Sequence, residues 1–246
     1  MTNYTIIGGG RLARHFSHYF RLLGIPYTRW QRSPVKDTCD LKQAVAEASH
    51  VLLLISDKAI PGFLAENQFL YKKILIHCSG AHDFPSVAGV HPLMTFGESL
   101  YDLPAYTAIP MICEESINPD FQFSHLFPQL RNPVHIIPAG KKALYHAYCV
   151  CAGNFSQLLW QMSSDGLQSE LGLPADVLQA YLQKNLENYC SQGKAALTGP
   201  LVRGDKETIK ANLAALENQP LETIYRQFSK LDLTAAEYGP VKERAA

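Results

Sequence analysis

No stretch of this 246-residue chain approaches the roughly eighteen consecutive apolar residues that a membrane-spanning helix requires. A strand begins within a few residues of Met1, leaving no room for the basic and apolar regions of a secretory signal, so a cytoplasmic protein is expected. Charge of one sign is missing too. Lys+Arg and Asp+Glu number 22 each and no basic run occurs, which excludes the footprint of a nucleic-acid or anionic-membrane binder. No C-x-x-C pair exists among Cys39, Cys78, Cys113, Cys149, Cys151 and Cys190, which read as reduced, mostly buried thiols rather than metal ligands or disulfides. A G-x-S-x-G elbow is absent, which disfavours serine hydrolase chemistry. The remaining composition, 47% hydrophobic and 18% charged, is that of an ordinary globular protein with a full core in one large or two modest domains. Its expected partners are small molecules.

What the chain does contain begins at once. Asn3-Tyr4-Thr5-Ile6-Ile7 reads as a strand and runs into Gly8-Gly9-Gly10-Arg11-Leu12-Ala13, which fits the G-x-G-x-x-G/A pattern at Gly8, Gly10 and Ala13. Gly8 permits the tight turn, Gly10 lets backbone amides approach a pyrophosphate, and small Ala13 lets the next helix press on the strand. Arg11 and Leu12 open that helix, whose N-terminus favours negative charge. Leu12, Ala13, Phe16, Tyr19, Phe20 and Leu23 recur at helical spacing, Gly24 stops the helix, and residues 25–30 supply a second strand. This is a βαβ unit with a dinucleotide site.

An Asp or Glu about twenty residues past such glycines takes the ribose hydroxyls of NAD, whereas a basic residue there accommodates a 2′-phosphate. Here the second strand ends Arg29-Trp30-Gln31-Arg32-Ser33, with no acid before Asp37. Arg32 offers a guanidinium fork and Ser33 a hydroxyl, so NADP is the expected cofactor.

Strand-like runs continue at 51–55, 73–77, 88–91, 106–112 and 134–137, with helical segments near 41–48, 59–67 and 121–130. That alternation predicts a doubly wound, mainly parallel α/β sheet. From Ala139 the strands stop and helical periods take over at about 140–165, 174–193, 206–217 and 220–238. The expectation is a Rossmann NADP-binding domain over 1–138 and an all-α domain over 139–246 that serves substrate binding and dimerisation. The last helix carries Leu221, Ile224, Tyr225, Phe228 and Leu231 on one broad apolar face, which suits a homodimer.

Five stretches, Ile55–Ile60, His77–Ala81, His91–Phe96, Ala143–Ala147 and Thr198–Asp205, resemble the bacterial Rossmann-like oxidoreductases that carry a C-terminal helical domain of unknown function. That family is similar to 6-phosphogluconate dehydrogenase-like enzymes, near pyrroline-5-carboxylate reductase, ketopantoate reductase and prephenate dehydrogenase. The resemblance implies a 6-phosphogluconate dehydrogenase-like C-terminal domain, pairing through it, and cofactor contacts from Ser56 and Asp57. Gly89-Val90-His91-Pro92-Leu93 resembles the His-Pro-Met segment of prephenate dehydrogenases, whose histidine contacts the substrate hydroxyl; Ser79 falls where those enzymes place a serine near the nicotinamide.

Hydride transfer needs a group that takes or gives the heteroatom proton, and histidine does this near neutral pH. His91 is the first candidate, since it ends a predicted strand. On the helix after the boundary, Leu144, Ala147, Tyr148, Cys151, Phe155, Leu158, Leu159 and Met162 form one face, and Lys142, His146, Cys149, Gly153 and Trp160 the opposite one. The resemblance to β-hydroxyacid dehydrogenases implies a catalytic lysine four residues before Asn154. Val150 stands there, and His146 or Lys142 is the candidate to replace it. Asn154 lies about 12 Å beyond His146 along such a helix and borders the same expected cleft. Arg203, between Gly199-Pro200 and Gly204, is a fork donor suited to a substrate carboxylate. Together these residues predict an NADP-dependent oxidoreductase acting on a small carboxylated metabolite. The alternative is a catalytically inactive NADP(H)-binding sensor or scaffold.

Overall fold

The computed structural model describes residues 2–32 and 40–231, which fall into two compact units divided between Gly153 and Asn154. In the first unit a seven-stranded sheet has the order β2-β1-β3-β4-β5-β6-β7. Its strands are β1 (Tyr4–Ile7), β2 (Tyr27–Trp30), β3 (His50–Leu53), β4 (Ile74–His77), β5 (Ala88–Pro92), β6 (Met111–Glu114) and β7 (Val134–Ile137). All neighbours are parallel except the antiparallel pair β5 and β6. Because β2 and β3 flank β1 on opposite sides, the order reverses at β1, where such sheets open a crevice at the strands' carboxyl ends.

Every residue of β1 and β3 is buried, as expected for central parallel strands covered on both faces. Side chains alternate between those faces. Ile6, Leu52 and Ile76 join Ala13, Phe16, Tyr19 and Phe20 of α1 (Arg11–Leu22) in one cluster. Ile7, Val51, Leu53 and Leu75 join Ile60, Phe63 and Leu64 of α3 (Ile60–Glu66) in the other. Between them α2 (Leu41–Ala44) is a single turn.

Two expected elements differ. The run 106–112 divides into α4 (Leu103–Thr107) and β6, because Asp102 caps the helix by accepting from the Ala105 amide and Pro104 sits in its first turn. Tyr106 is then held inside by its ring stacked on Tyr19. The expected helix 121–130 shrinks to a 3-10 turn, Pro119–Phe121, and α5 (Phe123–Leu126), with Pro128 blocking any extension.

The first unit closes with α6 (Lys142–Cys149), followed by a π-helical stretch, Val150–Phe155, that carries the division between units. The second unit holds α7 (Ser156–Leu171), α8 (Gln179–Gln192), α9 (Pro200–Arg203), α10 (Lys206–Ala215) and α11 (Glu222–Phe228). Gly172 ends α7 in the left-handed conformation and Asp205 caps α10 through the Thr208 amide. None of its described residues is buried; Leu171, Tyr181, Leu186, Tyr189, Phe228 and Leu231 are all exposed. Among the described residues no helix is long and apolar enough to cross a membrane, and none of the five described cysteines forms a disulfide; Cys78 and Cys113 are buried, but Cys151 and Cys190 are exposed, against the expectation of mostly buried thiols.

Candidate active site

The glycine turn leaves β1 at the reversal point. Gly8 has φ +148°, its amide donates to the Trp30 carbonyl at 2.8 Å, and a Cβ there would collide with the Leu54 carbonyl oxygen. Only glycine fits. Gly10 precedes α1 with extended backbone, and a Cβ there would meet nothing within 4 Å. The helix it opens has neither a side-chain cap nor an acidic residue in its first turn, so its first amides are left for an external anion. Arg11 is exposed at that end, while Leu12 packs against the core. Beside the turn, a cavity of about 550 Å³ is lined by Gly8, Gly9, Trp30, Gln31, Arg32, Ile55, Phe63 and Glu66, among others. Arg32 lines this cavity; Ser33 lies outside the described residues. Arg29 is committed elsewhere, its Nε donating to the Gly8 carbonyl at 3.2 Å.

A second polar group gathers near the carboxyl ends of β4 and β5. Lys142, the first residue of α6, reaches inward with its side chain 5% exposed, its ammonium 2.9 Å from Asp83 and 3.7 Å from Glu114. It fits because Gly89 has no side chain: a Cβ there would collide with Lys142 Nζ and fall 3.0 Å from His77 Nε2. Burial pushes the Glu114 carboxyl up, and its hydrogen bond to Asp83 and the charge of Asp83 add to this. Burial also works to raise Asp83, but the hydrogen bonds to Glu114 and Lys142 prevail and hold it below its ordinary value. Asp83 is thus the ionised partner of the buried ammonium. His77 accepts from the Ser79 amide at Nδ1, while its Nε2 is buried without a hydrogen-bond partner. Burial first, then the Lys142 charge, pushes this ring down to about 3.

One turn further along α6 the pattern repeats. A Cβ on Gly80 would collide with His146 Cδ2 and fall 3.0 Å from His91 Nε2. His91, on β5, bonds the Tyr145 hydroxyl through Nδ1 at 2.7 Å, and its ring centre lies 6.1 Å from that of His146. Burial, then the charges of His146 and Lys142, push His91 down to about 4, against an opposing pull from Asp57. The imidazole is neutral at neutral pH. Ser79 donates to Asp57 Oδ2 at 2.6 Å and accepts from the amides of Ala81 and His82, so it ties the loops after β3 and β4 together. Ser56 is exposed beside it.

The first unit therefore brings His91, His146, Ser79, Asp57 and Lys142 into one neighbourhood. Lys142 differs from expectation in being a buried, paired ammonium. The helix that carries it turns polar side chains toward the sheet: Lys142, Tyr145 and His146 face inward, while Leu144 and Tyr148 are 51% and 68% exposed. Two glycines that accept polar side chains outweigh the apolar stripe. Asn154 is exposed at the start of the second unit, and Arg203, also exposed, ends α9 there. Sequence reasoning missed Tyr145, His77, Gly80, Gly89, Asp83 and Glu114. The signal for the first was the spacing of Lys142, Tyr145 and His146 at i, i+3 and i+4 on one helical face. Among the described residues no cluster of three His, Cys, Asp or Glu side chains is arranged to hold a metal.

Residues 112–231 match a family model described as a domain of unknown function, DUF2520. No curated protein sequence matches the chain. Solved structures share the fold. A candidate NADP oxidoreductase of Bacteroides fragilis aligns with a TM-score of 0.75 at 20% identity, covering 94% of this chain and 98% of that one. The Thermotoga maritima protein TM1727 aligns at 0.68 and 22% identity, covering 93% and 96%. The pyrroline carboxylate reductase of Plasmodium falciparum, solved with NADP bound, aligns at 0.58 and 12% identity, covering 94% and 96%. The chain has the Rossmann-like fold of this group, with an α/β unit followed by a helical region.

Proposed function

We propose that the protein is an NADP-dependent oxidoreductase that moves a hydride between NADP(H) and a small carboxylated metabolite. The observation that carries the reading is the Gly8–Gly10 turn: a strained glycine against Leu54, an open position at Gly10, and an uncapped helix N-terminus, all at the point where the strand order reverses. These residues fit a dinucleotide. Gly8, Gly10, Arg11 and the first amides of α1 would hold its pyrophosphate, and Arg32, with Ser33, its 2′-phosphate. When bound, the nicotinamide supplies or accepts the hydride. His91 serves the heteroatom of the substrate, His146 borders the same opening, and Ser79 with Asp57 holds the loops that frame it. The NADP bound in the pyrroline carboxylate reductase and in an imine reductase from Myxococcus stipitatus supports the choice of cofactor.

The helical region supplies dimer contacts and, through Arg203 and Asn154, substrate contacts. A unit whose described residues include no buried side chain needs a partner to cover its apolar stripes, and a second copy of the chain is the proposed one. A cytoplasmic setting agrees with described cysteines that form no disulfide. A second reading, an inactive NADP(H) sensor, draws on Lys142 and Ser79, whose polar atoms are committed to internal partners.

Gly10→Val tests the site. A Cβ at this position meets nothing within 4 Å, and the branched side chain would occupy the pyrophosphate position, so calorimetric titration is expected to show NADPH binding abolished while thermal stability is kept. Unchanged affinity would overturn the Rossmann-site reading. Substrate-dependent loss of NADPH absorbance across keto acids, imines and 2-hydroxy acids separates an enzyme from a sensor.

A further inference from the structure

We infer that Tyr145 is the positioning residue of His91, holding the neutral ring with its proton on Nε2, so that the site offers a hydrogen-bond donor to the oxygen or nitrogen of a C=O or C=N substrate. This rests on the oxidoreductase reading above and assigns His91 the donor's part in it.

The geometry runs through one bond. Tyr145 Oη and His91 Nδ1 are 2.7 Å apart, within hydrogen-bond range for either partner as donor. A bare imidazole nitrogen is a far better acceptor than a phenol oxygen, so the hydroxyl donates and Nδ1 accepts. Tyr145 keeps its proton, because burial and a hydrogen bond shared with Cys149 both raise its pKa. With Nδ1 occupied by an incoming donor, the single ring proton of neutral His91 must sit on Nε2. Nε2 is the nitrogen that faces Gly80, whose missing side chain leaves room for it and for the His146 ring beside it. The other groups acting on the ring are His146 and Lys142 from α6 and Asp57 from the loop after β3. Burial, His146 and Lys142 all disfavour a positive charge on the ring and so favour its neutral form; Asp57 pulls the other way. While the heteroatom of a carbonyl or imine receives hydride and then takes its proton from water, a neutral ring of this tautomer polarises it as a donor and keeps its own proton. It has no lone pair on Nε2 to accept the proton of an alcohol. The lysine of the same helix cannot take over that task while it is paired with Asp83 and Glu114.

Long-range proton–nitrogen NMR on the full-length protein reads the tautomer directly, with His91→Gln identifying the ring. Between about pH 6 and pH 8 the His91 signals are expected to show a protonated Nε2 and a bare Nδ1, and Tyr145→Phe is expected to replace them by the average of two tautomers. A proton on Nδ1 in the unaltered protein, or an unchanged spectrum in Tyr145→Phe, overturns the inference whatever the turnover. With a C=O or C=N compound that consumes NADPH, Tyr145→Phe should lower kcat by about tenfold to a hundredfold, the range for groups that orient a reacting residue, with KM nearly constant. If no such compound consumes NADPH, the oxidoreductase reading falls, while the ring measurement still decides the role of Tyr145.

Discussion

Acid should destabilise the first unit from about pH 6.5 downward, because two of its histidines are held neutral. His77 is pushed down to about 3 and His91 to about 4, mainly by burial. In the unfolded chain both return to about 6.5. Their neutral forms are therefore no burden above that value, and the stability is lost as pH falls from about 6.5 toward 4 and then 3, where the unfolded chain binds protons that the folded one refuses. At pH 5 each ring has passed about 1.5 units below its unfolded pKa without charging, which at about 1.36 kcal/mol per unit is about 2 kcal/mol. The pair then costs about 4 kcal/mol between pH 7 and pH 5, a large part of a typical stability of roughly 5–15 kcal/mol. His50, also lowered by burial, adds to the loss, and Glu114, whose carboxyl is raised, offsets part of it.

Urea unfolding followed by Trp30 fluorescence, in a Trp160→Phe background so that only the first unit is read, measures this at the two pH values. His77→Asn keeps an acceptor for the Ser79 amide but removes the titrating ring, and should reduce the loss to about 2 kcal/mol. A stability that is flat from pH 7 to pH 5, or a His77→Asn protein with the full loss, would refute the reasoning.

Cofactor choice should rest on the residue at the end of β2. Losing a bidentate phosphate contact costs on the order of 1.5–3 kcal/mol, so Arg32→Ala should weaken NADPH roughly ten- to a hundredfold and NADH little; equal losses would show that Arg32 does not read the 2′-phosphate. Light scattering at micromolar concentration should give twice the chain mass, since Tyr181, Leu186 and Tyr189 of α8 are exposed in the single chain; a monomer would count against pairing through the helical region.

The nucleotide turn was readable because its rules are local. A positive φ at Gly8, where a Cβ would collide with the Leu54 carbonyl, and a small residue at Ala13 beside it are demanded by a few neighbouring atoms, and each leaves a mark at one position. Strands β1, β3 and β4 were readable for a related reason: central parallel strands covered on both faces are continuous apolar runs. Local rules also explain the failure at 106–112, where apolar content suggested a strand and the Asp102 cap with Pro104 took the first residues into a helix.

The polar site was less accessible. Helical period divides α6 into an apolar and a polar face but does not say which one the sheet receives. That choice was made by Gly80 and Gly89, more than fifty residues earlier, whose missing side chains leave room for His146 and Lys142. The bond from Tyr145 to His91 spans 54 positions, and no spacing rule reaches across such a distance. The amino-acid sequence by itself therefore determined the turn, the strand run and the class of cofactor expected, since each follows from conformational limits within a few residues. Only the tertiary structure decided that Lys142 is a buried ion-pair partner and that His91 is a neutral ring held by Tyr145, because burial and charge neighbours are properties of packed elements from distant parts of the chain.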